Sequence, residues 1–176
     1  MRYFNIAGPC NDAEHYMIDA STRLQGVEQL IDRRQYFVIH AARQSGKTTY
    51  LKDLAQRVNA GGKYHALYCS LESVQGITNP KEGIPAIISC IKNALLFSRI
   101  PEGERFAENA DFSDYVNVLR TMLTFFCMKS DKPLVILFDE ADCLSDDTLI
   151  LFLRQLRGGY NDRDTVPFLH SVALVG

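Results

Sequence analysis

A three-layer α/β sandwich on a parallel sheet is the fold class this sequence predicts, and three observations predict it. Four short apolar runs have the length and composition of buried strands: "YFVIH" (36–40), "YHALYCS" (64–70), "PLVILF" (133–138) and "FLHSVALV" (168–175). Segments with apolar residues at helical spacing lie between them. A glycine-lysine-threonine turn sits between the first run and the first of those helices. Strands that alternate with helices place helices on both faces of a parallel sheet.

The elements follow in order. Val27, Leu30 and Ile31 mark a short helix before the first strand. Leu51, Leu54, Ala55 and Val58 recur at helical spacing after the turn. Ile84, Ile87, Ile88, Ile91, Ala94 and Leu95 do so again, with Pro85 suited to a first helical turn. The polar stretch "RIPEGERFAENADFSD" (99–114) reads as a loop, and Val116, Leu119, Met122, Leu123 and Phe126 mark another helix. The third strand run is almost wholly apolar, as a strand covered on both faces must be. Leu149, Phe152, Leu153 and Leu156 mark the last helix. Ser145 can cap it, Asp146 and Asp147 suit its positive end, and Gly158-Gly159 can stop it. No internal repeat and no low-complexity segment interrupts the pattern.

The totals narrow the class. At 176 residues the chain suits one domain with a sizeable core. Apolar residues make up 47% and charged residues 23%, an ordinary globular balance. A net charge of −2 supplies no overall basic field for nucleic acid or anionic lipid. The five cysteines (Cys10, Cys69, Cys90, Cys127, Cys143) are odd in number and widely spaced, without a CxxC pair, and read as reduced thiols. The start lacks the apolar core of a signal peptide and no apolar run is long enough for a membrane span. The expectation is a soluble cytoplasmic protein.

The run Ala41-Ala42-Arg43-Gln44-Ser45-Gly46-Lys47-Thr48 matches the phosphate-loop (Walker A) pattern G-x-x-x-x-G-K-(S/T) except at its first position. Backbone N–H groups of such a loop converge on phosphate oxygens. Gly46 lets the chain come close, Lys47 puts a positive charge near the β- and γ-phosphates, and Thr48 offers a hydroxyl to Mg²⁺. The helix that follows aims its positive end at the anion. Ala41 joins strand to loop, where small size counts more than access to positive φ. A chance GKT at the start of a surface helix is the bland alternative, and the preceding strand and following amphipathic helix argue against it. The expected nucleotide-binding set is Ala42, Arg43, Gln44, Ser45, Gly46, Lys47, Thr48 and Thr49.

"PLVILFDEAD" (133–142) supplies the second half. An apolar strand that ends in Asp139-Glu140 is the Walker B arrangement: the first acid holds Mg²⁺ and the second orients and deprotonates the attacking water. Asp139 is the expected metal partner with Thr48; Glu140 is the expected catalytic base, and Lys47 the expected catalytic residue that stabilises phosphate charge. Asp142 has no assigned role beyond a candidate cap for the next helix. "DEAD" also raises the DEAD-box RNA helicases, but no "PTREL"-like or "SAT"-like segment and no second motor domain accompany it.

Taken together, "RYFNIAGPCNDAEHYMI", "YFVIHAARQSGKTT", "LYCSLE", "VILFDEADCL" and "LRQLRGGYNDR…VPFLHSVALVG" resemble the AAA-like ATP-binding proteins of bacteria and archaea. These are related to the archaeal ATPase and STAND groups of the additional-strand P-loop class. The resemblance runs over nearly the whole chain. It implies a P-loop NTPase sandwich of sheet order 5-1-4-3-2, with ATP and Mg²⁺ as cofactors. It also implies an arginine-bearing segment, a fifth strand and a C-terminal region beyond "VALVG"; on that reading residues 1–176 are a single ATPase core lacking its C-terminal part, with strand 1 at or near a sheet edge. The segment 1–34 is then expected to pack near the nucleotide base, with Tyr16, Met17 and Ile18 as contacts and Arg23 as a weaker one. Plain N-terminal packing is the alternative.

Secondary candidates carry less. Glu72, after the second strand, could restrain Glu140 or place water, or be a solvated loop acid. Among Arg154, Arg157 and Arg163, one could act in trans as an arginine finger, though basic residues suit a helix C-terminal half for dipole reasons alone. His15, His40, His65 and His170 do not group by sequence into a metal site. Two functions remain open: a Mg²⁺-dependent ATPase acting as a switch or motor step, and a nucleotide-binding interaction module with little or no hydrolysis. A second copy of the chain or a protein client is the expected partner, with no membrane; nucleic acid, through a local basic patch, is the less expected alternative.

Overall fold

The computed structural model describes residues 26–40, 46–101, 103–108 and 110–176. Ala42, Arg43, Gln44 and Ser45 of the expected phosphate loop, and the expected base contacts Tyr16, Met17, Ile18 and Arg23, lie outside the described residues. The chain runs α1 (Val27–Asp32), β1 (Tyr36–Ile39), α2 (Lys47–Ala60), β2 (His65–Ser70), α3 (Pro80–Ser98), α4 (Val118–Lys129), β3 (Leu134–Asp139), α5 (Asp146–Asp162) and β4 (Ser171–Val175). The architecture is α/β, with a four-stranded sheet in the order β1-β4-β3-β2 whose neighbours are all parallel. The implied order 5-1-4-3-2 differs from it by a fifth strand beside β1. The arrangement is consistent with a P-loop NTPase-like fold.

Side chains of successive strand residues point to opposite faces, and each face carries its own core. Leu67, Cys69, Leu134, Ile136, Phe138 and Val172 pack with Ile84, Ile88, Ile91, Leu119, Leu123 and Phe152 of α3, α4 and α5. Ala66, Val135, Leu137, Ala173 and Val175 pack with Val27, Ile31, Leu51 and Leu54 of α1 and α2. Every residue of β3 is buried, as its apolar sequence requires for a strand covered on both faces. Among the described residues β1 pairs with β4 alone, and Val38 there is 56% exposed.

Several local expectations change. Helix α3 starts at Pro80 in the first-turn position, with the Asn79 side chain accepting the Lys81 N–H at 3.1 Å, so Pro85 lies inside the helix and not in its first turn. Helix α4 begins at Val118, leaving Val116 exposed before it. Its Arg120 N–H is taken by the buried Gln155 side chain of α5 at 3.1 Å, a partner no local pattern announces. The loop 99–114 contains two single 3-10 turns, Gly103–Arg105 and Phe112–Asp114. Ser145 does stand at the N-cap of α5, but without a side-chain capping bond; Asp142 lies in the preceding turn Ala141–Cys143 and not at that N-cap.

Gly158-Gly159 does not end α5, which continues to Asp162. Gly159 serves close packing instead. A Cβ there would stand 2.3 Å from the Phe168 ring, whereas one on Gly158 would meet only the end of the Arg120 side chain at 3.1 Å. The chain after α5 is then held to α1. His170 Nε2 bonds the Ile31 carbonyl at 3.0 Å and its ring lies 4.5 Å from that of Tyr64, whose hydroxyl donates to Asp32 at 2.8 Å. Burial, reinforced by the positive charges of Arg34, Lys63 and Arg163, holds the His170 pKa below the usual imidazole value, against the opposing bond to Ile31. Among the described residues, no helix is long and apolar enough to cross a membrane.

Two outcomes follow for stability. Gly159→Ala should lower the unfolding free energy by about 1–3 kcal/mol through overpacking, while Gly158→Ala should be neutral or stabilise by up to about 1 kcal/mol; urea unfolding of the pair reads the difference. For His170, the unfolded chain takes up its proton first as pH falls through about 6.5, so stability drops from there down to the lower folded-state pKa. Unfolding at pH 7.5 and 5.5 should show a smaller decline for His170→Gln than for the unchanged chain.

Candidate functional site

The site forms where the start of α2 meets the ends of β2 and β3. Gly46 precedes α2 in the left-handed region at φ 83°, with no atom of the described residues within 4 Å of where a Cβ would stand. Its backbone conformation is therefore what the protein itself asks of glycine there. Lys47 and Thr48 open the helix, both half-buried, followed by Thr49. The first N–H groups of a helix have no intrahelical acceptor, so this end of α2 presents donors and the positive end of a dipole.

Asp139 closes β3 and is fully buried. Its Oδ2 accepts two hydroxyls, Thr48 Oγ1 at 2.6 Å and Tyr68 OH at 2.9 Å, while Oδ1 accepts the Glu140 backbone N–H at 3.1 Å. The sheet register produces this meeting. Ser70 lies opposite Asp139 and Tyr68 opposite Leu137, so Tyr68 and Asp139 share the face on which α2 packs. Thr48 comes down onto the same carboxyl from α2. The structure thus brings together Thr48 and Asp139 from the expected metal pair.

Glu140 is half-buried and leaves β3 with φ 56° and ψ 37°. A non-glycine residue in this region is strained by roughly 1 kcal/mol or more. Together with the N–H bond to Asp139, this conformation turns the chain out of the strand directly after the buried acid.

Tyr68 is the site residue that the sequence reading missed. The signal was "LYCS", a polar hydroxyl in an apolar strand two residues before its end, but the β2–β3 register was needed to use it. Burial first, and then the Asp139 carboxyl beside it, push the Tyr68 phenol above its ordinary pKa. Lys52, one helical turn after Thr48, places its ammonium 5.1 Å from the Tyr68 ring centre.

Other candidates separate from this cluster. Glu72 is exposed in the single turn Glu72–Val74 after β2. Arg163 is held as a structural clasp: its guanidinium lies 3.8 Å from the Tyr160 ring centre and donates to the Arg34 carbonyl at 2.6 Å. Arg154 and Arg157 are exposed on α5. His65 bonds Asp131 at 2.7 Å and His170 belongs to the α1 contact. Among the described residues, no three His, Cys, Asp or Glu side chains cluster as metal ligands.

No family model matches the chain, and no curated protein matches it. Solved structures do. Drosophila ORC bound to DNA aligns with a TM-score of 0.57 at 13% identity, over 89% of this chain and 25% of that one. Drosophila ORC bound to AT-rich DNA and Cdc6 gives 0.56 at 13% identity, over 89% and 24%. Drosophila ORC bound to GC-rich DNA and Cdc6 gives 0.51 at 15% identity, over 90% and 26%. The chain spans about a quarter of the length of these chains. The likeness shows a fold shared with part of these chains and no particular family.

The strained geometry at Glu140 has a measurable consequence. Glycine normally loses to alanine by roughly 0.5–1 kcal/mol in ordered structure. At position 140 the order should reverse, with Glu140→Gly more stable than Glu140→Ala by about 1 kcal/mol in urea unfolding. An alanine variant as stable as the glycine one would show that the left-handed turn is not held in solution.

Proposed function

We propose that this chain binds ATP with Mg²⁺ and hydrolyses it to ADP and phosphate as a switch or motor step. The observation that carries the reading is the 2.6 Å bond between Thr48 at the start of α2 and the buried Asp139 at the end of β3. A hydroxyl and a carboxyl from two separate elements converge where the phosphate-loop pattern and the acidic strand end require them. The donor set fits the metal. Mg²⁺ takes oxygen ligands, keeps several waters and is bound through one or two side chains plus substrate phosphates. Thr48 and Asp139 are that sparse oxygen set. When bound, Mg²⁺ supplies charge neutralisation across the β- and γ-phosphates.

The chain's own residues have the following roles in this proposal. The backbone amides of Ala42, Arg43, Gln44, Ser45 and Gly46 cradle the phosphates, with the amides and side chains of Lys47, Thr48 and Thr49 at the helix start. Lys47 offsets phosphate charge as it builds in the transition state. Thr48 donates to Asp139 and keeps its lone pairs free for the cation. Glu140 orients the attacking water and takes its proton. Tyr16 and Met17 contact the base. Support for ATP over GTP is the resemblance together with the lack of an "NKxD"-type segment in the sequence.

The partner class proposed is a second copy or a protein client. The ORC structures contain DNA and, in some, Cdc6. The net charge of −2 offers no overall basic field to a phosphate backbone, which favours a protein partner over nucleic acid for this chain.

Phosphate release and ATP affinity, measured together, test the proposal. Glu140→Gln should bind ATP as the unchanged chain does and release phosphate at least about a hundredfold more slowly, the lower range for losing a general base. Equal release rates would remove Glu140 from catalysis. Lys47→Ala should lose most ATP affinity; full affinity in that variant would overturn the phosphate-loop assignment.

A further inference from the structure

We infer that Tyr68 is a positioning residue for the metal-holding carboxyl of Asp139, an inference that rests on the nucleotide reading above. Tyr68 OH donates to Asp139 Oδ2 at 2.9 Å, the oxygen that also accepts Thr48 Oγ1 at 2.6 Å. Three elements, β2, α2 and β3, thereby meet at one oxygen atom. The two bonds do different work. Thr48 belongs to a helix start whose hydroxyl would also face the cation, so its bond to Asp139 is subject to what binds there. Tyr68 reaches Asp139 from within the sheet, where the β2–β3 register fixes its backbone two residues before the strand end.

A carboxyl rotates about its last torsion with little resistance. The Tyr68 and Thr48 hydroxyls on Oδ2 and the Glu140 N–H on Oδ1 oppose that rotation from both sides. The Asp139 carboxyl is therefore oriented before any cation arrives. Outer partners of this kind tune metal affinity without touching the metal. The ring is itself fenced in, half-buried with the Lys52 ammonium over its face. Tyrosine in place of phenylalanine at this strand position is then explained by the hydroxyl, which finds its acceptor in Asp139.

The test is Tyr68→Phe in the full chain, which keeps the ring and removes one oxygen. ATP affinity is measured by calorimetry without divalent metal and across a MgCl₂ titration, with urea unfolding to confirm the fold. The expected result is a Mg²⁺ requirement raised by about tenfold, with metal-free ATP affinity held within about twofold. An unchanged Mg²⁺ requirement overturns the inference. So does a parallel loss of metal-free and metal-dependent affinity, which would make Tyr68 a support of the general fold. Failure of the underlying reading has its own signature: the unchanged chain would show no Mg²⁺ dependence of ATP affinity, and both proposals would fall.

Discussion

The buried carboxyl of Asp139 is the constraint on which the rest of the arrangement depends. Such a group is costly to take from water unless its oxygens are hydrogen-bonded. Here the partners come from three directions: the start of α2, the middle of β2 and the following residue, Glu140. Satisfying them fixes the height of α2 above the sheet and rewards the β2–β3 register that sets Ser70 opposite Asp139. A slip of one residue would turn Tyr68 to the opposite face, toward α3 and α4, and leave Asp139 short of a donor.

The same constraint separates scaffold from chemistry. β3 is buried along its whole length between β2 and β4, so its last residue is held by a rigid element. Immediately beyond it, Glu140 takes up a left-handed conformation that a glycine would adopt at less cost. An acidic side chain kept at a position the backbone would assign to glycine is the pattern expected where strain is tolerated for function. Gly46 shows the other arrangement, with a left-handed backbone and a residue suited to it.

What was legible in the sequence was whatever depends on local period and on motif spacing. The four strands came from apolar runs, the five helices from recurrence at helical spacing, and the Thr48–Asp139 pair from two motifs that a parallel sheet brings to one end. What was not legible depends on partners distant in sequence. Gly159 looks like a helix terminator until Phe168 is seen against it, and α5 continues because packing there overrides the local glycine pair. Pro85 suits a first turn by sequence, but Asn79 and Pro80 supply that turn. Gln155 gave no local sign of serving α4. Tyr68 was hidden for the same reason: its role exists only in the β2–β3 register, which apolar patterning does not specify. Residues 41–45 and 1–25, to which the sequence assigns the expected phosphate-loop amides and base contacts, lie outside the described residues.

The central claim, that the helix start at Thr48 and the strand end at Asp139 form one Mg²⁺-nucleotide site, is tested most directly by a crystal structure with Mg²⁺ and a non-hydrolysable ATP analogue. The account predicts analogue phosphates at the start of α2 and a metal coordinated by Thr48 Oγ1 at about 2.0–2.1 Å, with Asp139 beside it directly or through one water. Phosphates bound away from Lys47 and Thr48, or a metal out of reach of both Thr48 and Asp139, would contradict it.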